Sequence, residues 1–156
     1  MISIALYQPD IPQNVGSALR LCACFDVPCH IIEPCGFVYD DKKLKRVAMD
    51  YAELTVPVRH NSWEAFLNWR RENDSPRLIL LSSKAKTYHH EFTFRPNDIL
   101  LMGRESAGVP DAVRDACDAS LRIPIAAHTR SLNVITAATV VLGEALRQTG
   151  AWPDQL

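Results

Sequence analysis

The chain has 156 residues, 47% of them hydrophobic and 22% charged, with a formal net charge of −1 and a pI near 6.5. One domain is the natural expectation at that length, and such a chain buries roughly 68–70% of its unfolded surface, enough for a sizeable core. The charge balance excludes a uniformly basic nucleic-acid binder, so any such surface has to be a local patch; no apolar run approaches the ~20 residues of a membrane span, and the opening MISIALYQPD lacks the basic n-region of a secretory signal.

Residues 2–7 (ISIALY) form an apolar run before a Pro-containing turn and read as a strand. A helix is expected over 14–25, with Val15, Ala18, Leu19 and Cys22 as its apolar stripe and Asn14 placed to cap it. Gly16 is out of place in a first helical turn, where glycine costs about 1 kcal/mol relative to Ala; a close backbone or ligand approach would explain it. Arg20 lies four residues further along the same face. Residues 27–34 and 53–58 are further strand candidates, with a helix over 41–50 between them and another over 62–72. The runs RLILLSS (77–83) and DILLMG (98–103) are nearly continuous aliphatic segments, followed by a helical pattern over 110–117 and a short strand over 119–125. A last helix is expected over 131–149. Val134, Ala137, Ala138, Val141, Leu142 and Ala145 recur there with helical spacing and paint one buried face. Alternating strands and helices predict an α/β domain on a mostly parallel sheet, and the continuous runs suit strands covered on both faces. No repeat, low-complexity segment or linker divides 1–156.

Five cysteines, Cys22, Cys24, Cys29, Cys35 and Cys117, make an odd number without a secretion signal, which reads as reduced thiols in a cytoplasmic protein. Their C-x-C-x4-C-x5-C spacing matches no common zinc pattern. Cys22 and Cys24 fall about 200° apart on a helix. Thiols packed as small hydrophobes are expected, with no metal.

In open α/β sheets ligands sit beyond the carboxyl ends of the strands, which directs attention to three loops. The first, QPDIPQNVGSALR, also reads as a capped helix with a solvated arginine. The second, MGRESAGVP, brackets Glu105 between Gly103 and Gly108. It is neither the G-x-G-x-x-G fingerprint nor a P-loop, and a tight strand-to-helix turn is its plain alternative. The third, IPIAAHTRSLNV, places Arg130, Ser131 and Asn133 before the final helix, where Ser131 as a simple N-cap would be worth around 1 kcal/mol. Each structural reading is tolerable alone. All three loops at one sheet edge point to a site.

Taken in order, P-x-N-x-G-x-x-x-R (Pro12, Asn14, Gly16, Arg20), G-x-E-x-x-G (Gly103, Glu105, Gly108) and I-P-x(6)-S-L-N-V (Ile123, Pro124, Ser131, Leu132, Asn133) resemble the three motifs of the SPOUT class of RNA methyltransferases. The resemblance covers nearly the whole chain. The segment GFVYDDKKLKRVAMDY (36–51) is similar to its small, single-domain branch, the 2'-O-methyltransferases of the tRNA wobble nucleotide. The resemblance implies a six-stranded parallel sheet with a C-terminal trefoil knot, and an S-adenosylmethionine pocket in that knot. It implies that Leu81, Met102, Gly103, Glu105, Gly108, Ile123 and Ser131 line the pocket. It implies a homodimer, with the first and last helices at the interface and the active site close by, and the anticodon stem-loop of tRNA as partner. Some relatives carry an aromatic residue in the final helix where this chain has Gly143.

A ribose 2'-hydroxyl is a weak nucleophile, and its attack on the methyl carbon of a sulfonium must be in line. The sulfonium loses its charge in the transition state, so no metal is required. Arg20, Asn14, Glu105, Ser131 and Asn133 are the implied catalytic set. A guanidinium is effectively always protonated. Arg20 is therefore expected to clamp the phosphate beside the target ribose, with the proton leaving through phosphate or water. Asn14 is expected to shape the Arg20 loop, Glu105 to accept hydrogen bonds, and Ser131 and Asn133 to orient substrate or cofactor loop. Lys42 to Arg46, Arg70 with Arg71, and Lys84 with Lys86 are candidate phosphate patches that read equally as solvated faces. Phe37 and Tyr39 are candidate stacking platforms for an unpaired base, or core.

Three rivals remain at this level. One is 2'-O-methylation of ribosomal RNA or of another tRNA position. Another is a non-catalytic RNA-binding dimer, which would predict loss of Arg20 or Asn14. The last is a hydrolase using Ser131 with His128, for which no G-x-S-x-G elbow exists.

Overall fold

A computed structural model of the protein describes residues 1–154. Seven parallel strands form one sheet in the order β3-β2-β1-β6-β4-β7-β5, where β1 is Ser3–Tyr7, β2 Cys29–Ile32, β3 Val58–His60, β4 Leu78–Leu81, β5 Thr87–Tyr88, β6 Ile99–Met102 and β7 Ala119–Arg122. The helices are α1 (Pro12–Phe25), α2 (Asp41–Ala48), α3 (Trp63–Glu72), α4 (Asp111–Asp115) and α5 (Val134–Thr149). The sheet has one strand more than the resemblance implied, because the two-residue β5 pairs through Thr87 and Tyr88 with Leu121 and Arg122 of β7.

The central strands are fully covered. All of β1 and all of β6 are buried, and β6 is the uninterrupted run Ile99, Leu100, Leu101, Met102. Alternate side chains serve opposite faces. Ile4, Leu6, Leu100 and Met102 join a core with Val15, Ala18 and Leu19 of α1, Leu44 of α2, and Ala138, Val141 and Leu142 of α5. Ala5, Tyr7, Leu78, Leu80 and Leu101 face Phe66 of α3 and Val113 of α4. Full burial of each large aliphatic side chain contributes about 1.5–3 kcal/mol, so these two layers hold the sheet between helices.

Several boundaries move from their expected places. The helix α1 starts at Pro12 with Ile11 at its N-cap and no side-chain cap bond, so Asn14 is not the cap; it is buried in the first turn. The last helix starts at Val134, and its N-cap is Asn133, whose Oδ1 accepts from the amides of Ile135 at 2.9 Å and Thr136 at 3.2 Å. Ser131 therefore plays no capping part. Residues 53–58 are not a strand: a 3-10 turn, Met49–Glu53, prolongs α2, and only Val58 joins β3. Gly16 answers the crossing of two helices, not a ligand. A Cβ there would sit 2.3 Å from Cγ1 of Val47 in α2, which packs directly against α1.

Cys22 and Cys29 are buried, Cys24 is exposed, and Cys35 and Cys117 are half-buried; all are free thiols. Burial pushes Cys35 up to about 11 and Cys117 up to about 12, which keeps both protonated. Among the described residues no helix is long and apolar enough to cross a membrane, and no group of three His, Cys, Asp or Glu side chains is placed to hold a metal ion.

Candidate active site

The carboxyl ends of β1, β6, β4 and β7 open onto one cavity of about 560 Å³. Its walls are Leu80, Leu81, Met102, Ile123 and Val134, and its rim is the loop 103–109 and the segment that leads into α5. Leu81, Met102, Gly103, Glu105, Gly108, Ile123 and Ser131 all line it, as do Asn14 and Asn133. Three loops far apart in sequence thus meet at one place.

Hydrogen bonds explain how they meet. Glu105 accepts from the Asp10 amide through Oε2 at 2.7 Å and from Nδ2 of Asn14 through Oε1 at 3.0 Å. Asn14 returns Oδ1 to Nδ2 of Asn133 at 3.1 Å. Oδ1 of Asn133 then caps α5. One connected path therefore runs from the first loop through the second to the start of the last helix. Glu105 has a donor on each oxygen, and these two bonds tie the second loop to the first.

The second loop is built for this. The Arg104 and Gly108 backbones exchange two hydrogen bonds of 2.8 Å, closing Glu105 to Ala107 into a tight turn. Gly108 adopts φ +64°, which strains side-chain-bearing residues, and a Cβ on Gly103 would lie 2.8 Å from the Gly108 backbone. The two glycines that bracket Glu105 are thus required by the loop's own geometry. Asp10 reinforces it from the first loop: its carboxylate accepts from the Ser106 amide at 3.2 Å and from the Ser106 hydroxyl, and lies 3.4 Å from Arg104. The Ser106 hydroxyl bond holds the Asp10 carboxyl below its ordinary value; burial opposes it, and the Ser106 amide and Arg104 add to the lowering. Sequence reasoning passed over Asp10; its place after Pro9 in a turn was the available signal.

Cations gather at the same mouth. Lys84, Arg104, Arg114 and Arg122 line the cavity. Arg114 is engaged by Asp111 at 2.8 Å, and Arg122 reaches the Tyr88 hydroxyl at 2.7 Å. The Nε atoms of Arg104 and Arg122 are buried without a hydrogen-bond partner. Buried unpaired donors are uncommon, and two at one cavity mark a place for an anionic group. An apolar cavity of this volume with a few convergent polar groups has the dimensions of a cofactor-sized ligand site. Guanidinium groups beside aliphatic walls are what a ligand with an anionic end and an apolar ring requires.

Arg20 is not brought there. It stands six positions beyond Asn14, about 9 Å further along α1 and turned well away from it. Its side chain is exposed, with the guanidinium 5.0 Å from the ring centroid of Tyr51. Among the basic patches, Lys42, Lys43, Lys45 and Arg46 are exposed on α2, with Leu44 as the inward residue. Arg70 is excluded as a free phosphate contact, since it is tied to Asp118 at 2.6 Å and to the Pro76 carbonyl at 2.6 Å. Lys84 and Lys86 are exposed beside the cavity. Phe37 and Tyr39 are half-buried against the core.

Comparison with known proteins agrees with this geometry. The family described as SpoU rRNA Methylase matches residues 1–143. A tRNA (cytidine(34)-2'-O)-methyltransferase of Beijerinckia indica is 57% identical over 148 residues, 95% of this chain and 92% of that protein. A solved structure described as "Structural insights into the 2-OH methylation of C/U34 on tRNA" superposes with a TM-score of 0.87 at 38% identity, over 95% of each chain. The SpoU methyltransferase AviRb of Streptomyces viridochromogenes, solved with AdoMet, gives a TM-score of 0.83 at 30% identity, over 94% of this chain and 59% of that one.

Proposed function

We infer that this chain, which belongs to the SpoU rRNA methylase family, transfers a methyl group from S-adenosylmethionine to the 2'-hydroxyl of cytidine or uridine 34 of tRNA. The observation that carries the reading is the convergence of the three loops on one cavity through Asn133, Asn14 and Glu105.

The cofactor supplies a methyl carbon made electrophilic by its sulfonium. Leu81, Met102, Ile123 and the backbone of 103–108 would hold it, with Arg104 and Arg122 available for its carboxylate. Asn14, Glu105 and Asn133 fix the loop positions so that the hydroxyl and the methyl meet in line; such positioning supplies much of a transfer rate. Ser131 faces the cavity with an exposed hydroxyl, free to bind the incoming ribose or the cofactor. Arg20, always charged, clamps a phosphate next to the target ribose.

A homodimer accounts for the position of Arg20. Its own cavity is out of reach, whereas a second copy packed on α1 and α5 would bring it to the partner's cavity. Ile125, Leu132 and Val140, each 40% exposed at the cavity mouth and on or beside α5, are the apolar side chains such an interface would cover. The anticodon stem-loop is the proposed RNA element, met by Lys42, Lys43, Lys45 and Arg46 and by Lys84 and Lys86.

The test is methyl transfer from labelled S-adenosylmethionine to tRNA lacking wobble ribose methylation, followed by nuclease digestion and mass spectrometry. A 2'-O-methyl group on nucleotide 34 is the expected product. Label at another tRNA position would keep the chemistry and overturn the target. Arg20→Lys retaining near-normal activity would overturn the bidentate clamp.

A further inference from the structure

A second, smaller cavity of about 310 Å³ lies on the same sheet edge, at the carboxyl ends of β2 and β3. Glu33, Phe37, Tyr39, Arg59 and Asn61 line it. The Arg59 guanidinium lies over the Tyr39 ring, its central carbon 3.8 Å from the ring centroid. Glu33 holds that guanidinium in place through a 2.6 Å ion pair and is itself mostly covered. The outer face of Arg59 stays open, since 42% of its side chain is exposed. Asn61 adds an exposed amide at the rim, and Lys42 and Lys43 stand exposed just beyond Asp40.

This arrangement has the parts that single-stranded RNA requires. A planar cation already stacked on an aromatic ring offers a second face to a base. An amide and a carboxylate at its edge offer donors and an acceptor to the base's own polar edge. Lysines alongside meet the phosphate. A surface ion pair kept only for stability would be worth little and would need no aromatic floor.

The cavity is also joined to the catalytic end. The Gly36 amide donates to the Pro9 carbonyl at 2.9 Å, and a Cβ at Gly36 would lie 2.7 Å from Oδ1 of Asp10. The wall of the small cavity therefore rests on the loop that receives Glu105. Only β1 lies between β2 and β6, so the two cavities open about 10 Å apart. A nucleotide beside the one whose ribose is methylated spans that gap.

We propose that this cavity is a nucleobase subsite: an unstacked base next to the target nucleotide stacks on the Arg59–Tyr39 pair and is read at its edge by Glu33 and Asn61. The proposal rests on the tRNA reading above and adds a residue set to it. Arg59 and Asn61 are exposed, so their replacement leaves the core untouched.

The experiment compares the unaltered protein with Arg59→Ala, Arg59→Lys and Asn61→Ala on tRNA transcripts, each lacking one base of the anticodon loop. Both KM in methyl transfer and Kd by fluorescence anisotropy are read. Arg59→Ala should raise KM and Kd for intact tRNA about tenfold, the order of one lost base stack. The loss should fall on KM rather than kcat, with cofactor affinity unmoved. One abasic transcript should show the same penalty with the unaltered protein and no further penalty with Arg59→Ala. Arg59→Lys should recover the salt dependence but not the affinity. If Arg59→Lys binds as the unaltered protein does, or if no abasic transcript couples to Arg59, the subsite is overturned. Absence of methyl transfer by the unaltered protein would instead remove the tRNA reading, and the Kd coupling would still decide the subsite.

Discussion

Two polar clusters are tucked into this fold, and they are satisfied in opposite ways. At the mouth of the large cavity, Asp10, Asn14, Glu105 and Asn133 form a chain of hydrogen bonds in which the Glu105 carboxylate finds a donor on each oxygen. On β2 and β3, His30 and His60 are buried against each other, Nδ1 to Nε2 at 3.1 Å, under a roof of Phe66 and Trp69. The first cluster stabilises charge and ties loops; the second excludes charge and pads a sheet. Acid should therefore attack the second first.

The largest expected effect follows from that. Burial, and then the neighbouring His60, pull His30 down to about 4, and burial lowers His60 as well. The folded state thus binds fewer protons than the unfolded chain between pH 6.5 and 4. The stability these neutral imidazoles permit is complete above pH 6.5 and is lost as pH falls toward 4, by about 3 kcal/mol for His30 alone. Urea melts at pH 7, 5.5 and 4.5 would show the decline, and His30→Leu/His60→Leu should flatten it. Asp10 runs in the same direction in a lower window: its carboxyl, held below its ordinary value near 3.8, contributes fully above that value and loses its contribution only as pH falls below it. Equal acid sensitivity in the double variant and the unaltered protein would erase the contrast between the clusters.

Next in size is Glu105→Gln. Glutamine keeps one acceptor oxygen where the Asp10 amide and the Asn14 side chain need two. A buried donor left unpaired costs about 1–3 kcal/mol. If that cost falls on the loop that lines the cavity, cofactor affinity drops about 10- to 100-fold, which calorimetric titration with S-adenosylmethionine would measure. A smaller effect separates two neighbours that the sequence treated alike. Asn133→Ala should cost about 1 kcal/mol, because it removes the cap of α5 and the partner of Asn14. Ser131→Ala, whose side chain has no such bond, should leave Tm in place and act on turnover alone.

The same contrast explains what could be read in the sequence. The convergence of the loops on the cavity was legible because its residues sit in loops with glycines that the loop geometry demands, as at Gly103 and Gly108. The aliphatic runs at 78–81 and 99–102 announced central strands because both faces are covered. The histidine pair was invisible: thirty positions part the two residues, and only the parallel register of β2 with β3 brings them together. Residues 53–58 misled because Val56 and Val58 are apolar but exposed, so their pattern reflects no buried face. Arg20 was legible as a motif residue, yet it stands exposed on α1 and does not line the cavity, because motif spacing carries no distance between a helix face and a cavity. Arg59 was missed for a simpler reason. Nothing near it in sequence predicts that Tyr39 lies beneath it.

The smallest expected effect tests the dimer through a single glycine. Gly143 is half-buried in the middle of α5, and a Cβ there would meet nothing within 4 Å in its own chain. Alanine in a helix interior is favoured over glycine by about 1 kcal/mol. In a free monomer Gly143→Ala should therefore raise stability by just under that amount, at any protein concentration. If a second copy packs on α5 at this point, the added methyl instead meets the partner. Tm should then rise with protein concentration in the unaltered protein, as mass action requires, and Gly143→Ala should weaken that dependence while leaving dilute-protein stability improved. Sedimentation and melting at two concentrations read the same methyl group in both settings, and a concentration-independent gain in Tm would place the interface away from this turn of α5.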